Sequence, residues 1–186
     1  MPQWNQPALP LRLPLPLPEG LPPEHAAALQ QLVGEPAAQA DAASVFGVIG
    51  EATFALLGPG LLTINAWRPQ QSQVVRLWSS DPASYPVGGS KHKGDTPWAR
   101  QVLQRAEVFV GEGDQALAEV FDDISKIRGL GLRAVVNVPI CHEGRCVGTF
   151  NYLRAQEAWA SEEVMALRRL AGIAGLVFSA GQMQQG

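Results

Sequence analysis

The side chains with the most chemical reach sit in four places. Cys141-His142-Glu143-Gly144-Arg145-Cys146 brings two thiols and an imidazole within six residues, a set open to metal, disulfide or thiol chemistry. A structural zinc takes four ligands, and the remaining histidines, His25 and His92, lie far away in sequence, so no metal site is expected. Gly88-Gly89-Ser90-Lys91-His92-Lys93-Gly94 frees backbone N–H groups and adds two lysines, the makings of an anion-contacting lid. It lacks the G-x-x-x-x-G-K-[ST] spacing of a P-loop, so its other reading is a solvated loop. Asp122 and Asp123 are adjacent, so on a helix they point apart; one of them could face a cation or amine. Asn137, Thr149 and Asn151 put amides and a hydroxyl into otherwise apolar runs. No Ser-His-Asp or paired-carboxylate spacing is readable, and thiol chemistry at Cys141 or Cys146 is the one catalytic route that can be named. The expectation is a protein that is not an enzyme, with no catalytic residues.

Composition limits the partners. The chain has 186 residues, 46% hydrophobic and 17% charged, with a net charge of −3; an average soluble domain carries roughly 25% charge. That balance gives no surface for a phosphate backbone, so nucleic acid is not expected. The sequence has no run of about 18 apolar residues, so no membrane span is expected. It also shows no basic start followed by an apolar stretch, so no secretion signal is expected. Two cysteines are too few for a disulfide framework, and a cytoplasmic protein is the expectation.

These residues need elements to position them. Eight of the 15 prolines precede residue 25, so residues 1–23 read as an extended, polyproline-like tail. It either docks in a partner's aromatic groove or lies along its own domain or a dimer mate. Residues 24–186 read as one domain. A short helix spans His25 to Val33, ended by Gly34 and Pro36. A second begins near Ala37 or Asp41, with Val45, Val48, Ile49, Ala52, Ala55 and Leu56 as its stripe, and stops at Gly58-Pro59-Gly60. Leu61–Arg68 and Gln73–Ser80 form a hairpin. Residues 81–95 are a long loop, and Thr96-Pro97 opens a helix that turns Trp98 and Val102 inward. Val108–Val110 is an edge strand, and Leu117, Phe121, Ile124 and Ile127 mark one or two helical turns. Arg133–Ile140 and Arg145–Leu153 form the second hairpin. The last helix is capped by Ser161 and carries Val164, Leu167, Leu170, Ala174 and Val177 on one stripe, with Gly172 and Gly175 leaving room for another helix. The fold class is α+β: a central antiparallel sheet of five to six strands, terminal helices on one face, and a helical and loop cover (81–132) on the other. A slack cover over a sheet is where a small-molecule cavity forms.

Gly129-Leu-Gly131-Leu-Arg133, Val136-Asn-Val-Pro139-Ile140, Gly144 and Val147-Gly148-Thr149-Phe150 follow one pattern: helix, Gly-Leu, a strand ending in Val-Pro, a glycine turn, and a strand starting Val-Gly. In this the chain resembles the GAF family, sensory modules related to PAS domains. The likeness runs over roughly residues 37–180 in element order and is strongest in 129–153. It implies a GAF/PAS-like fold and a pocket between sheet and cover, without naming a ligand, so the cofactor is unknown. The Asn-Lys…Phe…Asp-Glu signature of cyclic-nucleotide-binding members is absent; Phe121-Asp122-Asp123 and Lys126 are a partial echo. Bilin-binding members and free-methionine-sulfoxide reductases use cysteines in the cover, and residues 81–132 contain none.

Register decides which strand residues face the pocket. A three-residue turn, His142-Glu143-Gly144, sets Asn137 opposite Thr149 and Val135 opposite Asn151. Asn137, Thr149, Asn151 and Val135 then share the cover face, while Ala134, Val136, Val138, Ile140, Phe150 and Tyr152 share the helix face. A two-residue turn at Glu143-Gly144 would split the asparagines between faces. Tyr85, Trp98, Phe109 and Phe121 are candidate walls and Asp123 a candidate polar contact; plain core packing is the alternative for each aromatic, solvent exposure or capping for Asp123, and bonds to the cover's backbone or to buried water for the amides and the hydroxyl. The function expected is a stand-alone sensor that binds a small molecule and signals through a separate output protein, as a homodimer through its terminal helices. The alternatives are a ligand-free dimerisation or docking module and, behind it, a thiol-dependent enzyme.

Overall fold

The computed structural model describes residues 16–34 and 41–183. The proline-rich segment before residue 16 lies outside them. At the start of the described chain, Leu17 and Leu21 pack against the main core, and the Leu17 carbonyl accepts a hydrogen bond from Arg169 Nη1 at 3.0 Å. Residues 16–21 thus lie along their own domain.

Helix α1 (Pro23–Gly34) starts on a proline, which suits a first turn because its missing N–H has no helical partner there. Helix α2 (Ala42–Leu57) is capped by Asp41, whose carboxylate accepts from the Ser44 N–H at 3.1 Å. Strands β1 (Leu61–Arg68) and β2 (Gln73–Ser79) follow as a hairpin. The expected 81–95 loop contains a strand, β3 (Ser90–His92), paired with β2. Three polar residues carry no alternation by which to recognise a strand, and β2's free edge supplies the order. Thr96 caps the next helix through Oγ1 and Ala99 N–H at 3.1 Å; residues Ala99–Gln104 wind with π geometry, the Arg105 N–H reaching back to Arg100 O. Strand β4 (Phe109–Glu112), helices α3 (Gly113–Val120) and α4 (Ile124–Gly129), strands β5 (Ala134–His142) and β6 (Arg145–Arg154), and helix α5 (Ser161–Met183) complete the order. The residue that caps α5 is Ala160, not Ser161: Val164 N–H bonds to the Ala160 carbonyl, and Glu163 Oε2 accepts from the Ala160 N–H at 2.8 Å, which is the carboxylate half of a capping box.

The six strands form one antiparallel sheet in the order β3-β2-β1-β6-β5-β4. Its helix face presents Leu62, Ile64, Ala134, Val136, Val138, Ile140, Phe150 and Tyr152 to Phe46, Ile49, Leu167 and Leu170 of α2 and α5. The other face is covered by residues 81–132, in two smaller clusters built around Leu117, Ile127 and Val135 and around Trp98, Val102 and Leu103.

The β5–β6 turn differs from the three-residue expectation. His142 pairs with Arg145, leaving Glu143 and Gly144 as a two-residue turn with φ of 49° and 76°, the left-handed pair that matches strand twist. By itself that turn would put the two asparagines on opposite faces. A bulge intervenes: Cys141 pairs with Cys146 but Ile140 with Gly148, so Val147 is an extra residue on β6. The bulge restores the alternation, and Asn137 stands opposite Asn151, Pro139 opposite Thr149 and Val135 opposite Leu153. The expected partners were two residues out of register, while the faces are as expected.

Candidate functional site

Alternation on β1, β2, β5 and β6 aims one row of side chains at the cover: Leu61, Thr63 and Asn65; Val74 and Arg76; Asn137; Asn151 and Leu153. From the cover come Tyr85, Gly89, Lys91, Lys93, Trp98, Phe121, Asp123 and Ile127, and the two sets line a partly open cavity of about 70 Å³. At about 10–15 Å³ for one water-sized sphere, it has room for a handful of non-hydrogen atoms.

The polar groups fall into three sets. Asn137 is 1% exposed; its Oδ1 accepts from Trp98 Nε1 at 2.9 Å, which fixes the amide orientation, and its Nδ2 is buried without a partner. Asn151 Oδ1, across the strand pair, is likewise buried and unpartnered. Asn65 Nδ2, by contrast, donates to Thr149 Oγ1 at 3.1 Å. Most buried polar atoms in folded proteins find a partner, so two orphans beside one cavity need a cause.

The second set is Asp123 with its donors. Lys91 Nζ lies 2.6 Å from Oδ1 and Tyr85 Oη donates to Oδ2 at 3.0 Å. Burial raises the Asp123 carboxyl, but the Lys91 and Tyr85 bonds outweigh it and hold the group below its ordinary value. Burial, then the Asp123 charge, pushes the Tyr85 phenol up, so it stays a donor.

The third set is the remaining cations. Arg76 Nη1 donates to the Pro86 carbonyl at 3.0 Å, its guanidinium lies 5.1 Å from the Tyr85 ring centre, and its Nε is buried and unpartnered. Gly89 makes this seat: a Cβ there would come within 2.8 Å of Nη1. Lys93 Nζ lies 4.7 Å over the Trp98 ring. Burial, then the Lys91 charge, lowers its pKa, with Asp122 and Asp123 pulling the other way.

Of the residues expected from sequence, Asn137, Asn151, Tyr85, Trp98, Phe121 and Asp123 come together at the cavity. Thr149 shares their face but sits behind Asn65. Val135 is buried with Leu117 and Ile127, and Phe109 packs between the two cover clusters, so neither lines the cavity. Arg76, Thr63, Asn65 and Val74 were not anticipated; the two-residue alternation of β1 and β2 carries that signal. Asp122 is exposed. Cys141, His142 and Cys146 lie at the far end of the β5–β6 hairpin, where His142 and Cys146 border an open groove. Neither cysteine is in a disulfide, and burial pushes the thiols up to about 11 and about 12. Among the described residues no cluster of three or more His, Cys, Asp or Glu could hold a metal, and no helix is long and apolar enough to cross a membrane.

A GAF-domain family model matches residues 25–178. The chain belongs to the GAF domain family. Solved structures agree on the fold. The GAF domain of a phosphoenolpyruvate-protein phosphotransferase from Coxiella burnetii aligns with a TM-score of 0.65 at 16% identity, over 87% of this chain and 97% of that one. The GAF domain/HD domain protein of Geobacter sulfurreducens gives 0.64 at 16% identity, over 83% and 98%. The phycocyanobilin-bound GAF domain of a cyanobacterial phytochrome gives 0.61 at 14% identity, over 86% and 96%. A search of curated protein sequences finds no match. GAF domains are sensory modules, generally regulatory rather than catalytic, that often bind small molecules or bilins.

Proposed function

We propose that this GAF domain is a non-catalytic sensor that binds a small metabolite between the sheet and the 81–132 cover and passes its occupancy to an output protein. The observation that carries the reading is the pair of unpartnered amide atoms, Asn137 Nδ2 and Asn151 Oδ1, beside a cavity roofed by charged and aromatic groups. Neither atom has a partner within the protein, and a buried polar atom left unsatisfied costs about 1–3 kcal/mol. A ligand with matching groups removes that cost, so binding and cover order are coupled.

Transmission follows if the ligand favours one arrangement of the helices over another. Helix α5 packs on β5 and β6 across the sheet from the cavity and against α2, and a homodimer through these terminal helices is part of the proposal. A thiol enzyme is disfavoured by the high pKa values of Cys141 and Cys146 and by their place outside the cavity. The test is a thermal-shift screen of metabolites on the full chain, with native mass spectrometry of the purified protein. A compound that binds only the folded state raises the melting temperature, and Asn137→Leu should abolish the rise. If no compound shifts melting and no small molecule co-purifies, the sensor reading fails.

A further inference from the structure

The charges around the cavity do not balance. Lys91 and Tyr85 satisfy Asp123, while Arg76 and Lys93 face the same space and form no ion pair among the described residues. Asn137 offers a free donor, Asn151 a free acceptor and Arg76 Nε a further free donor. Leu61, Leu153, Ile127 and Phe121 supply an apolar wall.

We infer that the ligand is a small hydroxycarboxylate: a carboxylate for Arg76 and Lys93, an oxygen acceptor for Asn137, a hydroxyl donor for Asn151, and one or two carbons against the apolar wall. This deepens the proposed function and rests on the cavity being a ligand site. Charge and hydrogen bonding together disfavour the alternatives of similar size. A neutral polyol leaves two half-buried cations without an ion pair. A zwitterion brings an ammonium into a site already cationic. A plain carboxylate leaves Asn151 Oδ1 without a donor. A cavity of about 70 Å³ suits a ligand of about five to seven non-hydrogen atoms, from the size of one water sphere.

Four compounds on one three-carbon frame separate these requirements: lactate (both enantiomers), propionate, lactamide and alanine. Calorimetric titration of the full chain at matched ionic strength should show one lactate enantiomer binding at least tenfold more tightly than the other three compounds. Arg76→Gln and Lys93→Gln should each weaken lactate about tenfold or more, the usual worth of one charge-assisted hydrogen bond. Asn151→Leu should bring lactate down to the propionate level. If Arg76→Gln does not fold, Lys93→Gln against Lys93→Arg carries the same test, with affinity kept only in the arginine variant.

Lactamide or alanine binding as well as lactate overturns the anion assignment and leaves the ligand site standing. Propionate equal to lactate overturns the hydroxyl. Lactate binding unchanged in Arg76→Gln and Lys93→Gln places it on some other surface and overturns the assignment too. A neutral or cationic molecule co-purifying in the cavity does the same. No binding by any compound, with nothing co-purifying, removes the site itself.

Discussion

Replacing Asn151 by valine should stabilise the protein in the absence of ligand. Asn151 sits in the middle of β6, opposite Asn137 on β5 and Thr63 on β1, and its Oδ1 is buried without a hydrogen bond. An orphaned buried acceptor costs about 1–3 kcal/mol. Valine removes it, and it suits a central strand better than asparagine by up to about 1 kcal/mol. Its methyl groups meet Leu61 and Leu153, which line the same space. Against this stands the imperfect fit of a branched side chain, about 1 kcal/mol. The net expectation is a gain of about 1–2 kcal/mol, or roughly 2–8 °C in Tm for a chain of this size. Thermal unfolding followed by circular dichroism, with urea unfolding as a second measure, reads it directly. A variant less stable than the parent by 1 kcal/mol or more would mean that Oδ1 is satisfied in solution, and the reasoning from orphaned atoms would be refuted.

Thr149→Val is the opposite case: it removes the acceptor of Asn65 Nδ2 and should cost about 1–3 kcal/mol, read in the same unfolding experiment. Arg154 is 4% exposed, holds Glu163 through two bonds of 2.6 and 2.7 Å and lies 3.8 Å from the Trp159 ring centre; Arg154→Met should cost about 3 kcal/mol, because the partner carboxylate is left behind. The Asp123 carboxyl is held below its ordinary value in the folded protein, so its contribution is present above the unfolded-state value of about 3.9 and is lost as pH falls through the folded value. Asp123→Asn should therefore flatten the fall of stability below about pH 4, as measured by urea unfolding across that range. With folded thiols at about 11 and about 12, labelling by iodoacetamide at pH 8 should run about a hundredfold slower in the native protein than in urea, because the thiolate is the reacting form.

The faces of the sheet were legible because alternation survives almost any register. Val136, Val138, Phe150 and Tyr152 read as one apolar row, and they are the row that meets α2 and α5. The pairing itself was not legible: the turn is one residue shorter than expected and Val147 is an extra residue on β6, and the two shifts add to two residues of register while leaving every side chain on its face; neither shows in hydropathy. The capping of the helix at Thr96 was visible in a Thr-Pro pair, whereas the α5 cap was misplaced by one residue because Ala160 contributes backbone and Glu163 does the capping. At the site, aromatic residues and amides stood out by type. Arg76 did not, because an arginine on a half-buried strand reads as solvent-facing until Gly89 and Tyr85 are seen to enclose it. Strand β3 was missed because Ser90-Lys91-His92 owes its conformation to a neighbour 17 residues earlier in the chain.

The two rims of the sheet are brief. β3 contributes three polar residues, and β4 is four residues long with a charged end at Glu112. Such rims offer a passing chain too few free amide and carbonyl groups, and too much charge, to continue the ladder. Copies of this protein thus have little free ladder on which to zip rim to rim into a fibre.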